Sequence, residues 1–117
     1  LLGQYANGIE AFVQDLKDND TFKDTLILTF SEFGRRVKQN ASVGTDHGTA
    51  NNVFVIGENL KTQGLYNKMA NLNDLDDNGD LKFEIDFRTI YATVLDKWLE
   101  VDDKKVLNRS FEQLDFI

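Results

Sequence analysis

The sequence contains no cysteine, which excludes disulfides and thiolate metal sites and leaves the redox compartment open. It carries one histidine, His47, so any chemistry that needs an imidazole is confined to one position. Basic residues are outnumbered: 13 Lys and Arg stand against 20 Asp and Glu, for a net charge of -7. A surface that tracks nucleic-acid phosphates needs clustered Lys and Arg, and the densest basic pairs are only Arg35-Arg36 and Lys104-Lys105. No nucleic-acid partner is expected. No apolar stretch approaches the ~20 residues that span a bilayer, so no membrane span is expected. Gly-x-Ser-x-Gly, a phosphate-cradling loop ahead of a helix and any Cys/His cluster are also missing.

What remains is globular in character. The 117 residues are 41% hydrophobic and 11% aromatic, enough for one domain with a core and too short for two. The opening Leu1-Leu-Gly-Gln-Tyr reads as mid-helix sequence without a targeting segment, as if cut from a longer chain. Apolar residues at Tyr5, Ile9, Phe12, Val13 and Leu16 recur at three and four, predicting a helix from Leu2 to about Lys17 with one buried face. Asp18-Asn-Asp20 stops it. Thr25 to Phe30 reads as a buried strand of the parallel-sheet kind, and Val53 to Ile56 as a second. The polar segment 34–51 between them reads as a long loop, a length usually tied to function or mobility. Residues 60–80 are irregular, Leu81 to Ile85 is a short strand or ribbon, and Asp86 occupies an N-cap position. Phe87, Ile90, Tyr91, Val94, Leu95, Trp98 and Leu99 then repeat at three and four, the clearest amphipathic helix in the chain. Asp102 is expected to cap one more turn, with Phe111, Leu114 and Phe116 tying down the C-terminus. The order predicts the α/β class.

Three places could carry chemistry. Asp46-His47 sits between Gly44 and Gly48, where a backbone can approach a ligand closely; the histidine is either a metal ligand or base, or a loop-bracing surface residue. Glu32 follows the first strand and is either a ligand or acid/base group, or an ion-pair partner of Arg35 or Arg36. The two arginines could hold a phosphate or sulfate bidentately. Asp74-Leu-Asp76-Asp-Asn78-Gly79 copies the first half of a calcium loop, but the closing glutamate position is Ile85. Without that bidentate ligand the segment reads as a turn into a ribbon.

Several motifs in one order carry a family resemblance. They are Thr25-Leu-Ile-Leu-Thr-Phe-Ser-Glu-Phe-Gly-Arg35, Gly44-Thr-Asp-His-Gly-Thr-Ala-Asn51, Val53-Phe-Val-Ile-Gly57, Gly79-Asp-Leu-Lys82, and Asp86 to Leu95 with Trp98-Leu99. Together they closely resemble the C-terminal part of the domain-of-unknown-function 1501 proteins, sulfatase-like members of the alkaline phosphatase superfamily. The resemblance covers nearly the whole chain. It implies that residues 1–117 are a single C-terminal segment of an α/β/α sandwich with a mostly parallel sheet. It implies an exported, periplasmic or extracytoplasmic protein that hydrolyses phosphate or sulfate esters with divalent metal ions. His47 would then be a metal ligand, with Glu32 and Asp46 as further oxygen donors and Arg35 as the contact to a small anionic ester. Phe33 departs from the pattern, because it stands where a histidine ligand is expected. The nucleophile would lie upstream of Leu1, leaving this chain alone inactive. The alternative is a cell-envelope binding or scaffold protein that keeps the fold with a degenerate metal site. The expected partner for the unpaired strand edges is the remainder of the chain or another copy.

Overall fold

A computed structural model describes all residues, 1–117. The chain divides into two compact units, Leu1–Thr29 with Phe54–Leu60, and Phe30–Val53 with Lys61–Ile117.

In the first unit, helix α1 (Leu2–Asp18) follows the three-and-four repeat and ends beside Asn19. A 3-10 turn (Phe22–Asp24) leads into strand β1 (Ile27–Thr29). Its partner is β4 (Phe54–Ile56), antiparallel, with Ile27 opposite Ile56 and Thr29 opposite Phe54. The Thr29 side chain strengthens the end of the pair, its Oγ1 accepting from Phe54 N–H at 3.1 Å. No residue of α1 is buried. Its apolar stripe lines an open groove instead, about 480 Å³ in volume, with Leu2, Tyr5, Ile9 and Val13 on one wall and Phe54 and Ile56 on the other.

The second unit holds the other pair, β2 (Gly34–Gln39) and β3 (Thr45–Gly48), also antiparallel. The expected long loop over 34–51 is therefore a hairpin. Its connection is organised by Asn40, whose Oδ1 accepts from Ser42 and Gly44 N–H, both at 3.0 Å. Gly34 faces Gly48 and Arg35 faces His47, but Gln39 faces Thr45, so β2 bulges between Arg35 and Gln39. Gly34 lies so near the carbonyl of Ala50 that a Cβ there would sit 1.5 Å from that oxygen.

Both sheets have two strands and both are antiparallel. The mostly parallel α/β/α sandwich is thus overturned: these are mixed helices and small antiparallel ribbons. Parallel neighbours need a crossover of a dozen or more residues, usually helical. Between β1 and β4 the chain builds a hairpin instead.

Downstream, Asp76-Asp-Asn-Gly79 forms the expected turn. Asp76 Oδ1 accepts from Asn78 and Asp80 N–H at 2.9 and 2.8 Å, and Gly79 takes φ +80°. The ribbon beyond it is a single bridge, Leu75 to Leu81. Asp86 caps α2 (Phe87–Thr93) by accepting from Arg88 N–H. The helix then widens into a π turn over Val94–Trp98. Asp102 caps the short α3 (Asp103–Leu107), which stops at Asn108 in the left-handed conformation. This unit's core is Ala92, Thr93 and Phe116. Thr93 Oγ1 donates to Thr89 C=O at 2.7 Å and accepts from Leu114 N–H at 2.8 Å, fastening the C-terminal segment to α2. Lys97 adds a bond to Leu114 C=O at 2.8 Å.

Candidate functional site

The hairpin presents different chemistry on its two sides, because successive side chains of a strand point to opposite faces. One side carries Arg35 and His47, opposite each other in register. The phenyl ring of Phe33, just ahead of β2, stacks on the imidazole with 3.6 Å between centroids and 14° between planes. The same ring lies 5.5 Å from the Arg35 guanidinium carbon. Arg35 is further fixed by donating to Thr45 C=O at 2.8 Å. Three side chains, one from each strand and one from just ahead of β2, thus share one patch. The ion pairs of the chain use other residues, so neither Arg35 nor His47 is neutralised by a carboxylate.

The other side is acidic and internally matched. Arg36 makes a two-point contact with Asp80, Nε to Oδ1 at 3.0 Å and Nη2 to Oδ2 at 3.2 Å. Asp80 is 6% exposed, and the turn at Gly79 delivers it to the hairpin. The Asp80 hydrogen bond and charge raise the Arg36 pKa above its ordinary value, with smaller help from Asp46 and Asp76. Thr49 Oγ1 donates to Leu81 C=O at 2.9 Å, a second tie between the same segments. Gly48 leaves the room: a Cβ there would meet Asp80 Oδ1 at 3.1 Å.

The predicted site residues are therefore sorted by face. Arg35 and His47 come together. Asp46, adjacent in sequence to His47, accepts from Asn40 Nδ2 at 2.9 Å and sits toward Arg36. Glu32 is exposed and pairs with neither arginine. No group of three or more His, Asp or Glu side chains gathers in a metal-holding arrangement. Glu32, Asp46 and His47 do not converge on one point within these residues. In the calcium-like segment Asp74 pairs with Lys82 at 2.5 Å, and Asp76 Oδ1 is taken by the amides of its own turn.

Sequence reasoning missed the Arg36–Asp80 pair and the Phe33–His47 stack. The first joins residues 44 positions apart and had only the Asp-Asn-Gly turn as a signal. The second is a diagonal contact: the register that sets Arg35 opposite His47 puts residue 33 two positions before Arg35, on the same face as the imidazole.

No curated protein and no solved structure matches the chain. A family model does, across residues 1–111. On that match the chain belongs to the family described as protein of unknown function (DUF1501).

Proposed function

We propose that this chain contributes an anion-contacting face to a protein that holds or hydrolyses phosphate or sulfate esters, with Arg35 and His47 as the contacts. The observation that carries this reading is their opposition across the β2–β3 pair without a neutralising carboxylate. In a chain of net charge -7, an exposed guanidinium without a carboxylate partner, opposite an imidazole, has donors beyond the one on Thr45 C=O to offer an oxyanion. The ester as ligand class comes from the resemblance of the sequence motifs to sulfatase-like proteins, which would also imply an extracytoplasmic setting.

Hydrolysis in that superfamily uses divalent metal ions. His47 would be the nitrogen donor here, with Glu32 and Asp46 as the oxygen candidates. Those groups do not form a matching set in this chain, so no catalytic step is derived through a metal. Ester binding without hydrolysis is the reading the geometry supports best. The feature favouring it is Phe33, packed on His47 where a second histidine ligand would otherwise stand.

Titration of the 117-residue chain with inorganic phosphate, followed through the His47 ring signals by NMR, tests the proposal. Each exposed charged contact contributes only about 0.2–1 kcal/mol, so binding is weak. Saturable shifts that Arg35→Gln weakens support the reading; a flat titration contradicts it. Running the titration with and without zinc separates the variants of this reading: enhancement by zinc favours a metal site, and indifference favours a metal-free anion contact.

A further inference from the structure

Phe33 stands where the wider superfamily's pattern would put a histidine ligand, and its ring is placed against both groups of the proposed anion contact. It lies nearly parallel to the His47 imidazole at 3.6 Å and 5.5 Å from the Arg35 guanidinium carbon. Backbone geometry holds it there. Gly34, the next residue, is buried against Ala50 and opposite Gly48, and Ser31 Oγ donates to Phe33 C=O at 3.0 Å. The ring is thus seated on a constrained stretch of chain rather than on a free loop.

We infer that Phe33 is a positioning residue for this site: its face orients the imidazole of His47 and the guanidinium of Arg35 toward one anion, taking the place of a ligand with the role of a platform. The inference rests on the anion reading above and extends it to a residue that touches no ligand itself. The physical basis is twofold. Planar side chains stacked on an aromatic face lose the ring rotation that would otherwise oppose simultaneous contact. A guanidinium over a phenyl face is also attracted by the ring quadrupole. A flat ring is required for both effects, whereas an aliphatic side chain of similar bulk supplies packing alone.

The test compares wild type, Phe33→Leu, Phe33→Tyr and Phe33→Trp in the full 117-residue chain, with inorganic phosphate as the probe. Phe33→Leu should bind phosphate roughly two- to fivefold more weakly, the size of one exposed cation–aromatic contact. Phe33→Tyr and Phe33→Trp should restore wild-type affinity. A purely structural role for the ring would instead make affinity follow melting temperature across the set, whatever the side chain's shape. Equal affinity in Phe33→Leu and wild type overturns the inference and leaves the anion reading standing. Absence of phosphate binding by the wild type overturns both. The wild type supplies a second check that no variant's folding can obscure: ring-current shielding should displace the His47 ring protons upfield. Unshifted protons would overturn the stack and the inference with it.

Discussion

Individual residues carry more of this structure than their number suggests, because few side chains are fully covered. Gly34 is one. A methyl group there would enter the Ala50 carbonyl oxygen, which is backbone and cannot rotate aside. Gly34→Ala should therefore destabilise the second unit by roughly 3 kcal/mol or more, at the upper end of overpacking costs. Loss of cooperative thermal unfolding, or a melting temperature many degrees lower, is the expected readout. Thr93 is the other. It is completely buried, and its hydroxyl serves both Thr89 C=O and Leu114 N–H. Thr93→Val preserves shape but leaves the Leu114 amide without its acceptor, costing about 1–3 kcal/mol. Hydrogen exchange at the Leu114 amide should accelerate alongside the loss in denaturation midpoint. Neither role could be read beforehand: glycine in a polar stretch reads as loop, and Thr93 falls inside an amphipathic repeat without marking itself as a clasp.

Elements were predictable where the signal is local and obscure where it is not. The stripe from Tyr5 to Leu16 gave α1, and Asp86 and Asp102 both cap the helices they precede. Capping needs only a carboxylate and the next turn's amides. Strand pairing depends on distant partners, and here expectation and structure part. A run of β-branched and apolar residues suits parallel and antiparallel neighbours alike, so Thr25 to Phe30 could not disclose that Phe54–Ile56 pairs antiparallel. The hairpin was hidden by its composition, since Arg35, Arg36, Lys38 and Gln39 resemble solvated loop more than strand, and the bulge breaks their alternation.

The Arg36–Asp80 tie between hairpin and turn gives an asymmetric prediction. Arg36→Ala strands a buried carboxylate, whereas Asp80→Asn leaves a half-exposed guanidinium that water can serve. The arginine variant should melt lower than the asparagine variant, and measured melting temperatures decide the order. At the other end of the unit, hydrogen bonds from the Arg88 side chain and amide hold the Asp86 carboxyl at about 2, against 3.8 ordinarily. A depressed folded-state pKa adds stability above the unfolded value that disappears as pH falls through the folded one. Solvent around this partly exposed pair limits the gain to at most about 1 kcal/mol. Asp86→Asn keeps an N-cap acceptor and removes the charge. The wild type should exceed it in stability at pH 6, with the gap closing between about pH 4 and pH 2. A gap independent of pH would assign the effect to capping alone.

In the whole molecule, the mismatch between apolar content and burial is the main fact. Ala92 and Phe116 are the buried hydrophobic residues, while Leu2, Phe30, Leu65, Met69 and Phe83 are among many left exposed. The groove between α1 and β4 belongs to the first unit, and the Arg35–His47 patch to the second. The candidate chemistry therefore depends on a hairpin that one unit builds from its own residues: Gly34 and Gly48 set the register, Arg36 and Thr49 fasten it, and Phe33 backs the guanidinium and the imidazole. The sequence singled out this segment, as a loop, and the chain's single histidine; the structure makes the segment a hairpin. Adjacency along a strand turns Asp46 away from His47, and pairing across strands sets Arg35 opposite it.

The most direct measurement is the phosphate dependence of the His47 imidazole resonances in wild type and Arg35→Gln. Saturable movement of the ring signals is expected in the wild type, with a weaker response in the variant. Identical titrations in the two proteins, or signals indifferent to phosphate, would contradict the anion reading.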